Sequence, residues 1–423
     1  MTAAPSFADL DSCLAGASDD TLPVEQVRAA ITRFIEPVRG IEHVALRSAL
    51  GRVLGCAVVS PIDVPAHDNS AMDGYALRAA DLSPDGETRL RVAGAARAGA
   101  PLAAALSPGE SVRIMTGAVL PEGADTIVPQ ELVRTEDALL LVPPGQQAGQ
   151  HLRRRGEDLR AGTTALPAGR RLTPADLGLL ASLGVAEAPV LRRPRVAFFS
   201  TGDELRSIGE PLRAGQVYDS NRYTLWAMLQ RLGVDVIDLG VVPDSPSALQ
   251  TAMNDAANCA DAIVSSGGVS VGDADYTRQV MAQLGEVRFW SLAMRPGRPM
   301  AFGRIGRACY FGLPGNPVAV MITFYFVVRD ALLHLAGAEP RPLPTIAARA
   351  VEPIRKRAGR TEYLRACLST GNDGRAEVRL TGYQGSGVLR SMSEANCIVV
   401  LAHERGAVAA GEIVDCVAFE GLI

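Results

Sequence analysis

Apolar positions recur at helical spacing in "PVEQVRAAITRFIEPV". Val24, Val27, Ile31, Phe34, Ile35 and Val38 fall on one face, which predicts an amphipathic helix. Between residues 76 and 150 that period disappears. Short apolar segments ("LRVAGAARAG", "ESVRIMTGAVL", "DTIVPQELV", "ALLLVPPG") alternate with Gly and Pro, the pattern of a small all-β module. Helical spacing returns in "TPADLGLLASLGV" at 173–185, which opens on Thr173 as an N-cap and Pro174 in the first helical position. The β module, 61–150, therefore reads as an insertion into an N-terminal helical domain made of 1–60 and 151–194.

From 195 the pattern becomes strand–helix alternation. "RVAFFS", "VDVIDLGVV", "DAIVSSGG", "EVRFWSLAM" and "ACYFGLPG" read as strands; "NRYTLWAMLQRLG", "SPSALQTAMNDAANC" and "DADYTRQVMAQLG" read as helices. "NPVAVMITFYFVVRDALLHLAG" closes the series as a long helix. This predicts a doubly wound α/β domain over 195–338 with a mostly parallel sheet. Its longest strongly apolar run, 317–328, is too short to span a bilayer and reads as a buried helix. After the Pro-rich "AEPRPLP", short strands ("VRLTGYQG", "NCIVVLAH", "EIVDCVAF") predict a C-terminal β domain over 339–423, a barrel or a sandwich, of which we take the barrel. The fold class expected is α/β multidomain.

Composition narrows the chemistry. Hydrophobic residues make up 48% and charged residues 21%, an ordinary balance for a chain that buries its cores. A net charge of -4 argues against a general nucleic-acid binder, which carries a basic face. Lys356 is the single lysine, so anions must be held by guanidinium groups or backbone N–H, and Schiff-base chemistry is almost excluded. The seven cysteines form no C-x-x-C pair and the five histidines are scattered, against a zinc or iron–sulfur site. Reduced thiols, and an N-terminus without basic or apolar signal regions, lead us to expect a cytoplasmic protein.

In an open α/β sheet, ligands bind beyond the carboxyl ends of the strands. Those ends carry Ser200 to Glu204, then Pro243 and Asp244, then Ser265 to Gly272 with Asp273 and Asp275, then Arg295 to Arg298, then Pro314 to Asn316. Five polar ends in succession point to a pocket. "SSGGVSVGDADY" suits an anion cradle of backbone N–H groups before a helix, although glycine-rich turns also serve packing. "RPGRP" brings two arginines to the same rim. Glu204, Asp244 and Asp275 would repel one another unless a hard cation such as Mg²⁺ or a nitrogen-rich heterocycle sat among them. "DNSAMDGYAL" sets Asp68 and Asp73 around a small apolar pair; its bland reading is a polar loop that caps a helix or enters a strand.

Taken in order, "DNSAMDGYA", "RIMTGA", "RRRGED", "FSTGDEL", "SSGGVSVGDADY", "PGRP" and "LPGNPVA" resemble the molybdopterin molybdenumtransferase family, MoeA type, which includes the C-terminal domain of gephyrin. The resemblance covers nearly the whole chain. It implies an enzyme that takes adenylylated molybdopterin and molybdate, hydrolyses the adenylate in a Mg²⁺-dependent step, and releases molybdenum cofactor and AMP. It also implies a homodimer in which "DNSAMDGYA" reaches into the partner's pocket, with no nucleic-acid or membrane partner and with the molybdopterin adenylyltransferase as a candidate hand-over partner.

Carried over by motif, Asp73, Asp158, Glu204, Asp244 and Asp275 are the implied functional acids, Asp244 and Asp275 being the metal ligands. Thr116 matches a further site position, and Ser266, Gly267, Gly268, Ser270 and Gly272 match the phosphate cradle. Arg295 and Arg298 stand where the family commonly has lysines, and Ser291 where it often has another. Molybdate would fit near Ser270 and Arg298, with Arg365 and Ser391 as further contacts. A non-catalytic gephyrin-like scaffold and a phosphoester or nucleotide hydrolase on the same core are the competing readings.

Overall fold

The computed structural model describes residues 21–269, 280–281 and 283–421. The strand–helix alternation builds a six-stranded sheet in the order Asp235–Val242, Arg195–Thr201, Ala262–Ser266, Ala308–Leu313, Pro299–Ile305, Gly285–Ser291. The first four strands are parallel and the last two pairings antiparallel. The sequence reading assigned no strand to 299–305. That segment joins the sheet as an antiparallel return, with Phe302 and Ala301 in its core. Parallel strands buried on both faces read as near-continuous apolar runs, so Arg195–Thr201 and Ala262–Ser266 are legible from sequence.

Local chemistry sets the helix ends. Asp219 caps Ser220–Leu232 by accepting from the Arg222 N–H, and Gly233 closes it in the left-handed region. Ser245 caps Pro246–Cys259, whose first residue is proline. Thr173 caps Pro174–Ser182 in a reciprocal capping box with Asp176.

Two sequence expectations change. Helix Val24–Phe34 does not pack with 151–194. Its Val24, Val27, Ala30, Ile31 and Phe34 join the α/β core, where the Phe34 ring lies 5.4 Å edge-on from Phe302. The rest of the expected helical domain carries strands, with Ile41–Ala45 pairing Glu187–Leu191 and Val58–Val59 pairing Thr164–Leu166. The apolar helix extends over Pro317–Leu335, 19 residues, so its length does not exclude a membrane span. Its apolarity has a nearer cause, since Val318, Val320, Ile322, Phe324, Val328 and Leu332 are buried in the main core.

The inserted β unit is a six-stranded sheet with Gly74–Leu77 between Thr126–Pro129 and Glu110–Ile114. Two chain crossings join it to the rest, and carboxylates tie them together. Asp63 accepts from Arg155 Nε (2.5 Å) and the Ala161 N–H (2.8 Å); Asp68 accepts from the Arg155 N–H (2.7 Å) and Arg154 Nη1 (3.1 Å). The C-terminal strands close on themselves in the order Thr361–Thr370, Ala376–Leu380, Ile346–Ala350, Ile413–Ala418, Cys397–Leu401 and back to the first. That is a five-stranded barrel. Met294–Arg295 adds in parallel to its Thr361 and Glu362, which brings the barrel against the tips of the α/β sheet.

Candidate active site

At the carboxyl ends of the parallel strands lies a cleft of about 740 Å³. Thr201, Ser266, Gly267, Gly268, Pro314 and Gly315 supply its floor, and the barrel supplies Arg360 and residues 383–386 on the opposite wall. Gly267 has φ +98°, and a Cβ there would lie 2.3 Å from the Thr201 carbonyl, so only glycine lets this turn pass. Its N–H donates to the Leu313 carbonyl at 3.1 Å. Asn221, in the first turn of its helix, donates from Nδ2 to Ser266 Oγ (2.8 Å) and to the Gly315 carbonyl (2.7 Å), locking two strand ends together.

Several polar atoms at these tips are buried without a hydrogen-bond partner among the described residues: Ser200 Oγ, Thr201 Oγ1, Asn221 Oδ1 and Asp219 Oδ2. Buried polar groups are nearly always paired in native proteins, so a row of unpaired ones beside a cleft marks a place for a ligand.

The rim is cationic. Arg295 and Arg298 are exposed and line the cleft. Arg298 Nε donates to Ser291 Oγ at 2.7 Å, so the serine standing where a lysine was expected orients the neighbouring guanidinium. Arg360 lines the barrel side and pairs with Glu362 at 2.7 Å. Behind it Arg365 is fully buried. Its Nε donates to Ser391 Oγ (3.0 Å) and its Nη2 to the Gly385 carbonyl (2.9 Å), while Nη1 has no partner among the described residues. Burial, with Arg295 nearby, pushes Arg365 down to about 10, still cationic at neutral pH. Neither Arg365 nor Ser391 lines the cleft; they stand behind its Gly385 wall.

The structure divides the expected acids. Glu204 and Asp244 line the cleft and are exposed. Asp203 accepts from the Asp244 N–H at 3.4 Å, which holds the two loops together. Among the described residues, no group of three or more His, Cys, Asp or Glu gathers as a metal cluster. Ser270, Gly272, Asp273 and Asp275 lie outside the described residues. Asp73, Thr116 and Asp158 do not line this cleft within one chain. Asp73 stands at the entry to Gly74–Leu77, its Oδ1 accepting from the Thr116 N–H and Oγ1, both at 2.7 Å. Those two bonds hold its carboxyl below the usual range. Asp158 sits exposed at the crossing, its N–H on the Val64 carbonyl.

Sequence reasoning missed Asn221, Arg360 and the 383–386 turn. Asn221 follows a capping Asp in "YDSNRY", and an asparagine that is not itself the cap is a readable signal. Arg360 and "GYQGS" come from a separate domain, and nothing local says that they face the sheet tips.

Three family models match in chain order. Residues 22–184 match the MoeA N-terminal region (domain I and II), 197–334 the "Probable molybdopterin binding domain", and 347–419 the MoeA C-terminal region (domain IV). The chain is 40% identical over 404 residues to a molybdopterin molybdenumtransferase of Haemophilus influenzae, covering 95% of this chain and 100% of that one. It is 38% identical over 369 residues to one of Nostoc sp., covering 85% and 84%. The molybdopterin biosynthesis moeA protein of Pyrococcus horikoshii OT3 superposes with a TM-score of 0.82 at 27% identity, over 94% of this chain and 100% of that one. With the sheet-tip cleft, the cationic rim and the closed barrel, these matches assign the chain to the molybdopterin molybdenumtransferase family, MoeA type, the enzymes of molybdenum cofactor biosynthesis.

Proposed function

We propose that the cleft binds adenylylated molybdopterin and molybdate, cleaves the phosphoanhydride, and yields molybdenum cofactor and AMP. One observation carries this reading: Arg295 and Arg298 stand with the Gly267–Gly268 backbone in a single cleft of about 740 Å³, room for a dinucleotide-sized ligand. Cleavage consumes one water, and insertion forms two Mo–S bonds while one molybdate oxygen leaves as water with the two thiol protons. The P–O–P bond breaks, and AMP departs with negative charge that must be neutralised.

Arg295 and Arg298 are placed to take up that charge as bidentate forks, and the backbone of the 267–268 turn offers fixed dipoles. Molybdate would sit near Arg298, and Arg365 and Ser391, joined by their own hydrogen bond, would act from behind the cleft wall rather than in its lining. Glu204 and Asp244 offer hard oxygen donors at the cleft, and Mg²⁺ is commonly held by one or two carboxylates plus substrate phosphates. Asp244 would be its ligand on this side, and the family resemblance implies Asp275, outside the described residues, as a second. When bound, Mg²⁺ supplies further charge neutralisation at the anhydride.

The chain acts in this reading as a cytoplasmic homodimer. Asp73, with Thr116 orienting it, and Asp158 complete the partner's cleft. The adenylylating enzyme upstream hands over the substrate. AMP release from adenylylated molybdopterin, measured with and without molybdate and with and without Mg²⁺, tests the reaction. Dependence on both supports it. Release indifferent to molybdate favours a hydrolase, and no turnover favours a scaffold.

A further inference from the structure

Tyr383 is the only aromatic side chain among the described residues that line the cleft, and it is 79% exposed. A lone exposed aromatic is ordinary. The loop that presents this one is not. Arg365 Nη2 donates to the carbonyls of both Tyr383 (3.5 Å) and Gly385 (2.9 Å). The Gln384 amide closes a reciprocal pair with the Arg365 backbone, accepting from its N–H (2.9 Å) and donating to its carbonyl (3.1 Å). A Cβ on Gly385 would lie 2.5 Å from the Tyr383 ring, so the ring lies against bare backbone and any side chain there would displace it. The Val318 N–H, in the first turn of the apolar helix, donates to the Ser386 carbonyl (3.0 Å) and ties the loop to the α/β domain. A rigid backbone thus holds a water-exposed ring at the wall of a polar, cationic cleft.

Resting on the function proposed above, we propose that Tyr383 is a stacking platform for the planar nitrogen heterocycle of the ligand. Its hydrophobic face gains burial only when a flat ring covers it, and stacking is tolerant of the ring's substituents. The guanidinium that anchors this loop is itself fully buried, so the platform is held from behind the cleft wall. The heterocycle is either the adenine of the nucleotide or the pterin; both present a π face.

The test is calorimetric binding to the full-length wild type, Tyr383→Ala and Tyr383→Phe, with AMP, unadenylylated molybdopterin and molybdate as separate probes. Tyr383→Ala should weaken one ring-bearing probe roughly tenfold or more, and the probe affected identifies the ring. Tyr383→Phe should restore its binding. Molybdate binding should be the same in all three proteins. A Tyr383→Ala protein that binds both ring-bearing probes as the wild type does, or that loses molybdate in equal measure, overturns the platform and leaves the proposed function standing. A wild type that binds none of the three probes overturns both.

Discussion

At the tips of the parallel sheet, Ser200, Thr201 and Asn221 each bury an oxygen with no partner among the described residues, and behind them Arg365 buries an Nη1 of which the same holds. At the corner of the inserted β unit the balance is reversed. Asp73 is exposed, and its Oδ1 already takes two hydrogen bonds from Thr116; Asn69 Oδ1 is the buried orphan in that stretch. The first region is a receiver whose bonding capacity is completed by something else. The second is a presented carboxylate, oriented and kept ionised. Within one chain the receiver has Glu204 and Asp244 but not Asp73, and Asp73 does not line the cleft; the dimer proposed above would bring these two halves together.

The largest expected effect breaks the receiver. Arg298→Ala should lower kcat/KM for AMP release by roughly 10²–10³, the range seen when a preorganised charge-stabilising donor is lost. The melting temperature should stay near wild type, because Arg298 is exposed and its one described bond is to Ser291. Arg298→Lys should recover part of the rate, since a point charge replaces the fork. A rate unchanged in the alanine variant removes Arg298 from the anion site.

Next comes the division of labour between the halves. Asp73→Asn should slow turnover roughly 10- to 100-fold, as for loss of an oriented carboxylate, while molybdate and AMP binding are retained. If Asp73 acts across the dimer, mixing Asp73→Asn chains with Arg298→Ala chains and allowing exchange creates one intact site per mixed dimer. Recovered activity should approach about a quarter of wild type, from random pairing of two chains. If Asp73 acts within its own chain, every site in the mixture lacks one partner and the activity stays at the sum of the two mutants.

These two halves also differ in how much the sequence revealed. Strand tips are legible because a buried parallel strand reads as an apolar run, and the tip begins where that run stops. Ser266, Gly267, Glu204 and Asp244 stand at such points and share the cleft. Of the barrel, only Arg365 and Ser391 were named, through the family resemblance, and neither lines the cleft; the residues that do were not legible. Arg360, Tyr383 and Gln384 reach the cleft through the pairing of Met294–Arg295 with the barrel strand, a contact between segments whose own patterns are complete without it. Helix Val24–Phe34 shows the same limit. Its amphipathic face was plain, but period alone does not say which core receives that face. The antiparallel strand Pro299–Ile305 was hidden by the "RPGRP" turn that precedes it, and its small residues, Ala301 and Gly303, weaken strand propensity.

The smallest expected effect concerns the crossings that aim the Asp73 half. Asp68 accepts from the Arg155 N–H and from Arg154, and these bonds hold its carboxyl below the ordinary 3.8. Asp63 is lowered likewise by the Ala161 N–H and Arg155. A carboxylate whose folded value is depressed stabilises the fold fully above its unfolded value and loses that contribution as pH falls through the folded one. The crossings should therefore be unaffected between pH 7 and 5 and weaken below about 4, near the unfolded reference for Asp. Both pairs face water, so the loss is small and salt-sensitive. Asp68→Asn should lower the melting temperature at pH 7 by at most a few degrees, and the gap to wild type should narrow as the pH drops to about 3. The Asp261 carboxylate is the internal control. Burial pushes it up, but Arg192, bonding through both Nη atoms at 2.7 Å, and the Arg195 N–H outweigh burial and keep it low. It lies in the α/β half, so Asp261→Asn should destabilise the protein more than Asp68→Asn while leaving the protease sensitivity of the 61–70 and 151–161 crossings unchanged. Equal sensitivity in the two variants at pH 7 means that the Asp68 bonds do not set how the inserted unit is carried.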